Sequence, residues 1–271
     1  MVVRSIVVVA GIALCSLRAT PSSAYHDEKQ SVVTDTAHQL DRHESRLGIW
    51  RYDYGFAPWL QLGTYHFLWL LRVPNLQAKL NLYQDKDWTI ALSTGFAWVN
   101  LGNFKSFDKN SNARITSLPF QAAVSYRFNR RFELSVMPSY TYTVLKGDYE
   151  ADEFEGLAAV SNLQWVAVLQ WRFSRVFALM LHARWLVFQG AAANVSSTVS
   201  LDDFTTARVH AAVKTDALDF KAYSLVPSML FSWSSFNLRV GLGYGNYNVP
   251  LFNFVLPTKS IIPELDVFWR F

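Results

Sequence analysis

Cysteine is all but missing from this chain, and after the first twenty or so residues no apolar run approaches the length of a membrane helix. The single cysteine, Cys15, lies inside the N-terminal apolar stretch, so a processed chain would carry no thiol and no disulfide framework. Charge is scarce as well, at 17% of residues, and nearly balanced. Without Arg4 and Arg18 the remainder has 23 basic against 21 acidic residues, which argues against nucleic acid as a partner. A helical membrane protein is excluded by the missing runs. No fingerprint for a cofactor or a metal is found, so neither is expected.

The N-terminus has its own signature. Arg4 precedes an apolar run from Ser5 to Leu17, followed by "RATPSSA" with small residues at Ser22 and Ala24. That pattern predicts a secretory signal peptide over residues 1–24. Its apolar part is shorter than the roughly 20 residues needed to cross a bilayer as a helix. Leu14 stands where a small residue precedes an acylated cysteine, which argues against lipid attachment at Cys15.

What is present in excess is aromatic: 15% of residues are Phe, Trp or Tyr. They follow a period of two. From Leu118, one face is Leu118, Phe120, Ala122, Val124, Tyr126 and Phe128, while the other is Pro119, Gln121, Ala123, Ser125 and Arg127. The same alternation places Phe132, Leu134, Val136, Pro138 and Tyr140 opposite Glu133, Ser135, Met137 and Ser139. It recurs over 163–173, 236–245 and 261–271, and no charge falls on any of these apolar faces. A Lys or Arg turned toward lipid at mid-bilayer costs about 2–4 kcal/mol. A soluble sandwich would place its greasy face inward and Lys and Glu outside. Here the polar face is Ser, Thr, Gly, Gln and scattered Arg, which suits a wet interior.

Tight turns at Ala57-Pro58, Asp85-Lys86-Asp87, Asn129-Arg130, Ser174-Arg175 and Ser234-Ser235 alternate with longer polar connections. They delimit strands near 31–40, 46–56, 59–70, 75–84, 88–101, 115–128, 132–146, 157–173, 176–190, 220–233, 236–248 and 260–271. The expected fold is therefore all-β: a 12-stranded transmembrane antiparallel up-and-down β-barrel over 25–271. The segment "SVVTDTAHQL" alternates poorly; parity assigns it to the wall, with a plug inside the barrel as the alternative. Pro138 and Pro227 fall within strands and predict bulges. Residues 191–219, which keep some alternation, predict an extracellular hairpin or folded loop.

The signal peptide, the alternation, the rhythm of short turns and the terminal "LDVFWRF" together resemble bacterial outer-membrane β-barrels. The resemblance implies location in the bacterial outer membrane, with Phe271 as the residue read by the barrel-assembly machinery. It also implies an aromatic girdle at the short-turn rim, formed by Trp59, Trp88, Phe128, Phe132, Phe173, Phe177, Trp233, Phe236, Trp269 and Phe271. Surrounding partners would be outer-membrane lipids. The basic loop 103–114 and the acidic loop 147–156 offer contacts to lipopolysaccharide phosphates, directly or through divalent ions.

In this register the inward positions collect Arg51, Lys79, Arg127, Arg172, Arg184, Arg239 and Arg270 against Asp53, Glu133, Glu264 and Asp266, with His182 beside them. The basic excess predicts a lumen that passes small polar or anionic solutes. The opposing expectation is that these charges pair across a narrow barrel and brace it, giving a non-conducting structural or surface-interaction barrel. A third possibility is an outer-membrane lipid hydrolase. His43-Glu44-Ser45 matches the His-x-Ser of a phospholipase family found on such barrels, but Arg46 departs from the Asn that continues that pattern, and no base or oxyanion donor can be assigned. No catalytic residue is therefore assigned.

Overall fold

A computed structural model describes residues 32–100, 113–149, 154–202, 205–216, 222–249 and 254–271. Its strands are β1 (Ser45–Gly48), β2 (Tyr52–Ala57), β3 (Leu60–Thr64), β4 (Asn75–Gln84), β5 (Trp88–Asn100), β6 (Arg114–Arg127) and β7 (Phe132–Tyr149). They continue with β8 (Phe154–Arg172), β9 (Phe177–Asp202), β10 (Thr205–Asp216), β11 (Tyr223–Ser232), β12 (Phe236–Val249) and β13 (Phe254–Arg270). A short helix, α1 (His66–Leu70), follows β3. No helix among the described residues is long and apolar enough to cross a membrane.

Every pairing is antiparallel, and two of them close the sheet on itself: β13 pairs with β1, and β8 with β9. The ring holds twelve strands, with β10 as a thirteenth outside it. Along β11 the burial alternates strictly. Ser224, Val226, Ser228, Leu230 and Ser232 point inward, while Tyr223, Leu225 and Met229 are exposed. The outward set is the apolar one, the reverse of a soluble barrel. This orientation predicts that Leu242→Arg, at an exposed position midway along β12, will destabilise the protein by about 2–4 kcal/mol in bilayers. Urea titration in lipid vesicles measures this, and an effect below about 0.5 kcal/mol would mean that Leu242 does not face lipid.

Two of the short turns are held by their own side chains. Asn129 Oδ1 accepts from the backbone N–H of Arg131 and Phe132 (2.8 and 3.0 Å), and Ser174 Oγ from those of Val176 and Phe177 (3.2 and 3.0 Å). Around this rim the rings touch in series: Phe132, Trp171, Phe173, Phe177, Phe231, Trp233, Phe236 and Trp269, with centroids 3.9–6.2 Å apart. Trp171 and Phe231 join the series although their strands, not their turns, supply them.

Several expected elements differ. Residues 32–40 form no strand, and the count of twelve is restored because the predicted strand 46–56 is two strands, β1 and β2, folded at 49–51. The predicted strand 59–70 stops at Thr64 and gives way to α1. Asn75 holds that corner: its Oδ1 accepts from Tyr65 N (2.7 Å) and Thr64 Oγ1 (3.1 Å), and its Nδ2 donates to the carbonyls of Tyr65 and Val73 (both 3.1 Å). Pro138 and Pro227 cause no bulge. The β6–β7 ladder skips from Gln121↔Ser139 to Val124↔Val136, and the β11–β12 ladder from Leu225↔Tyr244 to Ser228↔Gly241, each without a change of register. Each proline thus interrupts the ladder on one side and keeps its pairing on the other, with Trp165 and Leu181 respectively. Register shifts occur elsewhere, as between Leu163 and Gln164.

Over its described residues the stretch 191–219 forms a hairpin, in which the far part of β9 pairs with β10. β9 runs for 26 residues; its first part pairs with β11 as far as Trp185, and from Gly190 onward it pairs with β10. β9 thus pairs with β11 inside the ring and with β10 beyond it. A barrel strand crosses a bilayer in about 9–11 residues, so the β9–β10 hairpin extends past it. On the opposite side the wall is low, since β1, β2 and β3 have 4, 6 and 5 residues. The β1–β13 seam consists of three residue pairs, Arg46↔Arg270, Leu47↔Trp269 and Gly48↔Phe268. Ile49 N and Trp50 Nε1 extend it by donating to the carbonyls of Val267 (2.9 Å) and Leu265 (3.0 Å). Trp50 then meets Phe67 of α1 edge-on at 5.4 Å.

Candidate functional site in the barrel lumen

Residues 32–40 lie inside the barrel and plug its short-turn half, and Asp41, Arg42 and His43 are exposed where the segment leaves it. Val32 and Ala37 pack on an apolar patch of the inner wall formed by Ala91, Ala123, Met137, Val166, Val168, Met180, Leu230 and Phe268. Burying that patch is favourable, at about 25 cal/mol per Å². The plug's backbone is satisfied by wall side chains, as a buried irregular segment requires. Lys79 Nζ donates to the carbonyls of Val33 (3.2 Å), Thr36 (2.7 Å) and His38. Ala37 N donates to Ser125 Oγ (2.9 Å) and Leu40 N to Gln61 Oε1 (3.0 Å). At the plug's exit, His43 N donates to Gly55 O (2.7 Å) and Gly55 N to Glu44 O (2.9 Å). A Cβ at Gly55 would overlap the Asp41 carbonyl, so glycine permits this approach.

Around the plug the charges form three clusters. Glu133 accepts from Arg172 Nη2 (3.2 Å), lies 3.5 Å from Arg127 Nε and meets His38 Nε2 of the plug at 2.9 Å. Near the seam, Arg46 bridges Asp53 (3.2 Å) and Asp266 (2.5 Å), Arg51 holds the other oxygen of Asp53 (2.7 Å), and Arg270 reaches Glu44 (2.7 Å). Farther from the short turns, Arg239 contacts Glu264 (2.5 Å) and Asp35 (3.1 Å), with His182 Nδ1 3.8 Å from the same Asp35 oxygen. Burial raises the cost of charging Asp35. Arg239, then His182 and Arg184, outweigh that cost and hold its carboxyl well below the usual carboxylate range.

Beyond the plug a cavity of about 230 Å³ remains. It is lined by Asp35, Arg51, Tyr65, Gln77, Ser93, Thr94, Gln121, Ser139, Gln164, Arg184 and Asn248, among others. A smaller one of about 80 Å³ lies beside it against Lys79 and Arg46. The lining is donor-rich and amide-rich, and among its charged members Arg51 and Arg184 come from the wall while Asp35 comes from the plug.

Of the twelve residues assigned to the inner face, ten fall into these clusters, Lys79 holds the plug and Arg184 lines the cavity. Sequence alone did not assign His38, Asp35 and Glu44, which the plug carries inward, nor Arg46. In one continuous strand 46–56, Arg46 has the phase opposite to Arg51; the fold at 49–51 resets the phase and turns it inward. The apolar inner residues Met137, Val166 and Val168 were the available signal for a plug, since a wet lumen gives them nothing to pack against. His43 and Ser45 do not form a pair: His43 Nδ1 meets Tyr54 OH (3.0 Å), while Ser45, fully buried, meets Tyr52 OH (3.3 Å). Asp35, His182 and Glu264 bring ligand atoms within 4.8 Å of one another. The guanidinium of Arg239 already lies on both carboxylates, so that cluster has a built-in cation. Phe271 exchanges both backbone hydrogen bonds with Ser45 (3.0 Å each), closing the seam at its base. The segment 1–24, most of the 103–114 cluster and residues 150–153 lie outside the described residues, while 147–149 and 154–156 of the expected acidic loop pair as the ends of β7 and β8.

A closed antiparallel ring of twelve strands, apolar outside and polar within, defines an outer-membrane-type transmembrane β-barrel. No family model matches the chain, and no curated protein matches it. Among solved structures it is similar to the translocator domain of autotransporter NalP from Neisseria meningitidis, at 11% identity over 84% of this chain and 86% of that one, with a TM-score of 0.34. It is also similar to the toluene transporter TodX of Pseudomonas putida, at 8% identity over 84% of this chain and 77% of that one, with a TM-score of 0.31. Superpositions this loose carry no argument about activity.

Proposed function

We propose that this protein is a plugged channel of the bacterial outer membrane, admitting small polar solutes that bear an acidic group. The observation that carries the proposal is the donor-rich cavity lying directly against a plug that non-covalent contacts hold in place. Its volume suits a solute smaller than a drug-sized ligand. Wall cations facing that space favour anions, and the amides and hydroxyls replace lost hydration. The plug makes the channel gated rather than permanently open, because its residues fill the short-turn half. Outer-membrane lipids, with lipopolysaccharide at the outer surface, are the proposed surroundings, and the barrel-assembly machinery is the proposed partner during insertion.

A second function, a barrel that does not conduct, is favoured by the three paired clusters, which brace the wall across its interior. Planar-bilayer recording of the purified, refolded protein separates the two. The channel predicts discrete conductance steps with a reversal potential shifted toward the anion in a salt gradient. A silent protein at all voltages and salts would leave the bracing barrel.

A further inference from the structure

Asp35 reaches its partners from the plug and not from the wall. It sits in the turn at residues 34–35 with a left-handed φ of 57°, a conformation that Asp tolerates better than most residues but that is uncommon outside glycine. Its side chain is 42% exposed into the cavity, while those of Arg239 and His182, which it contacts, are 9% and 14% exposed. The Nε2 of His182 is buried without a hydrogen-bond partner. Arg239 divides its guanidinium between a wall carboxylate, Glu264, and this plug carboxylate. Guanidinium groups recognise carboxylates through charge-assisted hydrogen bonds and are already desolvated here, so whichever carboxylate arrives inherits a prepared partner.

We propose that the inner wall around Arg239, His182 and Arg184 is a binding site for a small free carboxylate, and that Asp35 is its tethered occupant. The inference deepens the channel function by naming the solute class and the contact that solute must displace. A group tethered by a short segment competes at an effective concentration of the order of millimolar or more. Free carboxylate therefore has to exceed that level to replace Asp35 in the intact protein. Once it does, the plug loses its hold at this end and keeps the Lys79 contacts.

Calorimetric titration of the refolded full chain with acetate, at constant ionic strength maintained with chloride, tests the site without any need for ion flow. Asp35→Asn should bind acetate at least tenfold more tightly than the wild type, and Asp35→Asn combined with Arg239→Gln should lose that gain. Equal affinities in wild type and Asp35→Asn, or retention of the gain in the double variant, would overturn the proposal. Inorganic phosphate binding to Asp35→Asn more tightly than acetate would overturn the carboxylate assignment. Should Asp35→Asn fail to fold, Thr34→Cys in the otherwise unaltered processed chain provides an independent measure. Acetate should speed labelling of that thiol by a water-soluble maleimide several-fold, and an unchanged rate would count against displacement. A silent bilayer recording alongside positive titrations would reject the channel and leave the carboxylate site standing.

Discussion

Lys79→Met should raise the conductance of the reconstituted protein by at least tenfold. The ammonium of Lys79 is buried on the inner wall of β4 and serves three plug carbonyls, those of Val33, Thr36 and His38. Hydrogen bonds to a charged donor contribute about 1.5–3 kcal/mol each. Methionine has a similar length and no donor, so all three carbonyls would be left inside the barrel without this partner. Water can satisfy them only if the segment moves away from the wall. The contacts that remain, among them Asp35 with Arg239, Ala37 with Ser125, Leu40 with Gln61 and His38 with Glu133, flank the gap but do not replace it. Current recordings in planar bilayers should show more frequent and larger steps than in wild type. The step size should approach that of a barrel from which 32–40 has been deleted. Anion preference should fall at the same time, because one lumen cation is gone. Currents identical to wild type would mean that the Lys79 contacts are not what keeps the pathway shut.

Arg46→Met should cost about 3–5 kcal/mol of stability, the range for removing one partner of a buried ion pair. Arg46 is almost fully buried and links Asp53 of β2 to Asp266 of β13, across the place where the first and last strands meet. Its guanidinium also lies 4.3 Å above the Phe268 ring. Asp53 keeps Arg51, but Asp266 loses the Arg46 contact within a seam of three residue pairs. The low wall cannot compensate, since β1–β3 carry few ladder bonds. Urea unfolding of the refolded protein should therefore show a lower midpoint. The folded band in unheated electrophoresis should disappear at a lower temperature. Arg175→Met, at an exposed short turn, provides the comparison and should stay within about 0.5 kcal/mol of wild type. If the two variants behaved alike, the seam would not depend on Arg46.

The taller strands were legible because their environment is uniform along their length. From β5 to β9 and from β11 to β13, lipid lies on one face and the lumen on the other, so a period of two survives for ten or more residues. The prolines obeyed the same logic more simply than expected, since a closed ladder loses bonds on one side without changing register. Where strands are only four to six residues long, a period of two has too few repeats to show a break. Residues 46–56 consequently read as one strand, and the reversal at 49–51 was invisible. Its consequence reached the site, because the phase of Arg46 depends on that reversal.

The sequence by itself determined the class of architecture, the face of each long strand and most of the wall charges, since these follow from side-chain polarity at alternate positions. Tertiary structure decided that residues 32–40 fill the barrel, that Asp35 and Glu44 meet wall cations and His38 a wall carboxylate, and that the wall is low beside the seam. Those outcomes depend on contacts between residues as far apart as Asp35 and Arg239, or Glu44 and Arg270. Distance in space between such partners is set only once the ring closes, and no local pattern in the chain records it.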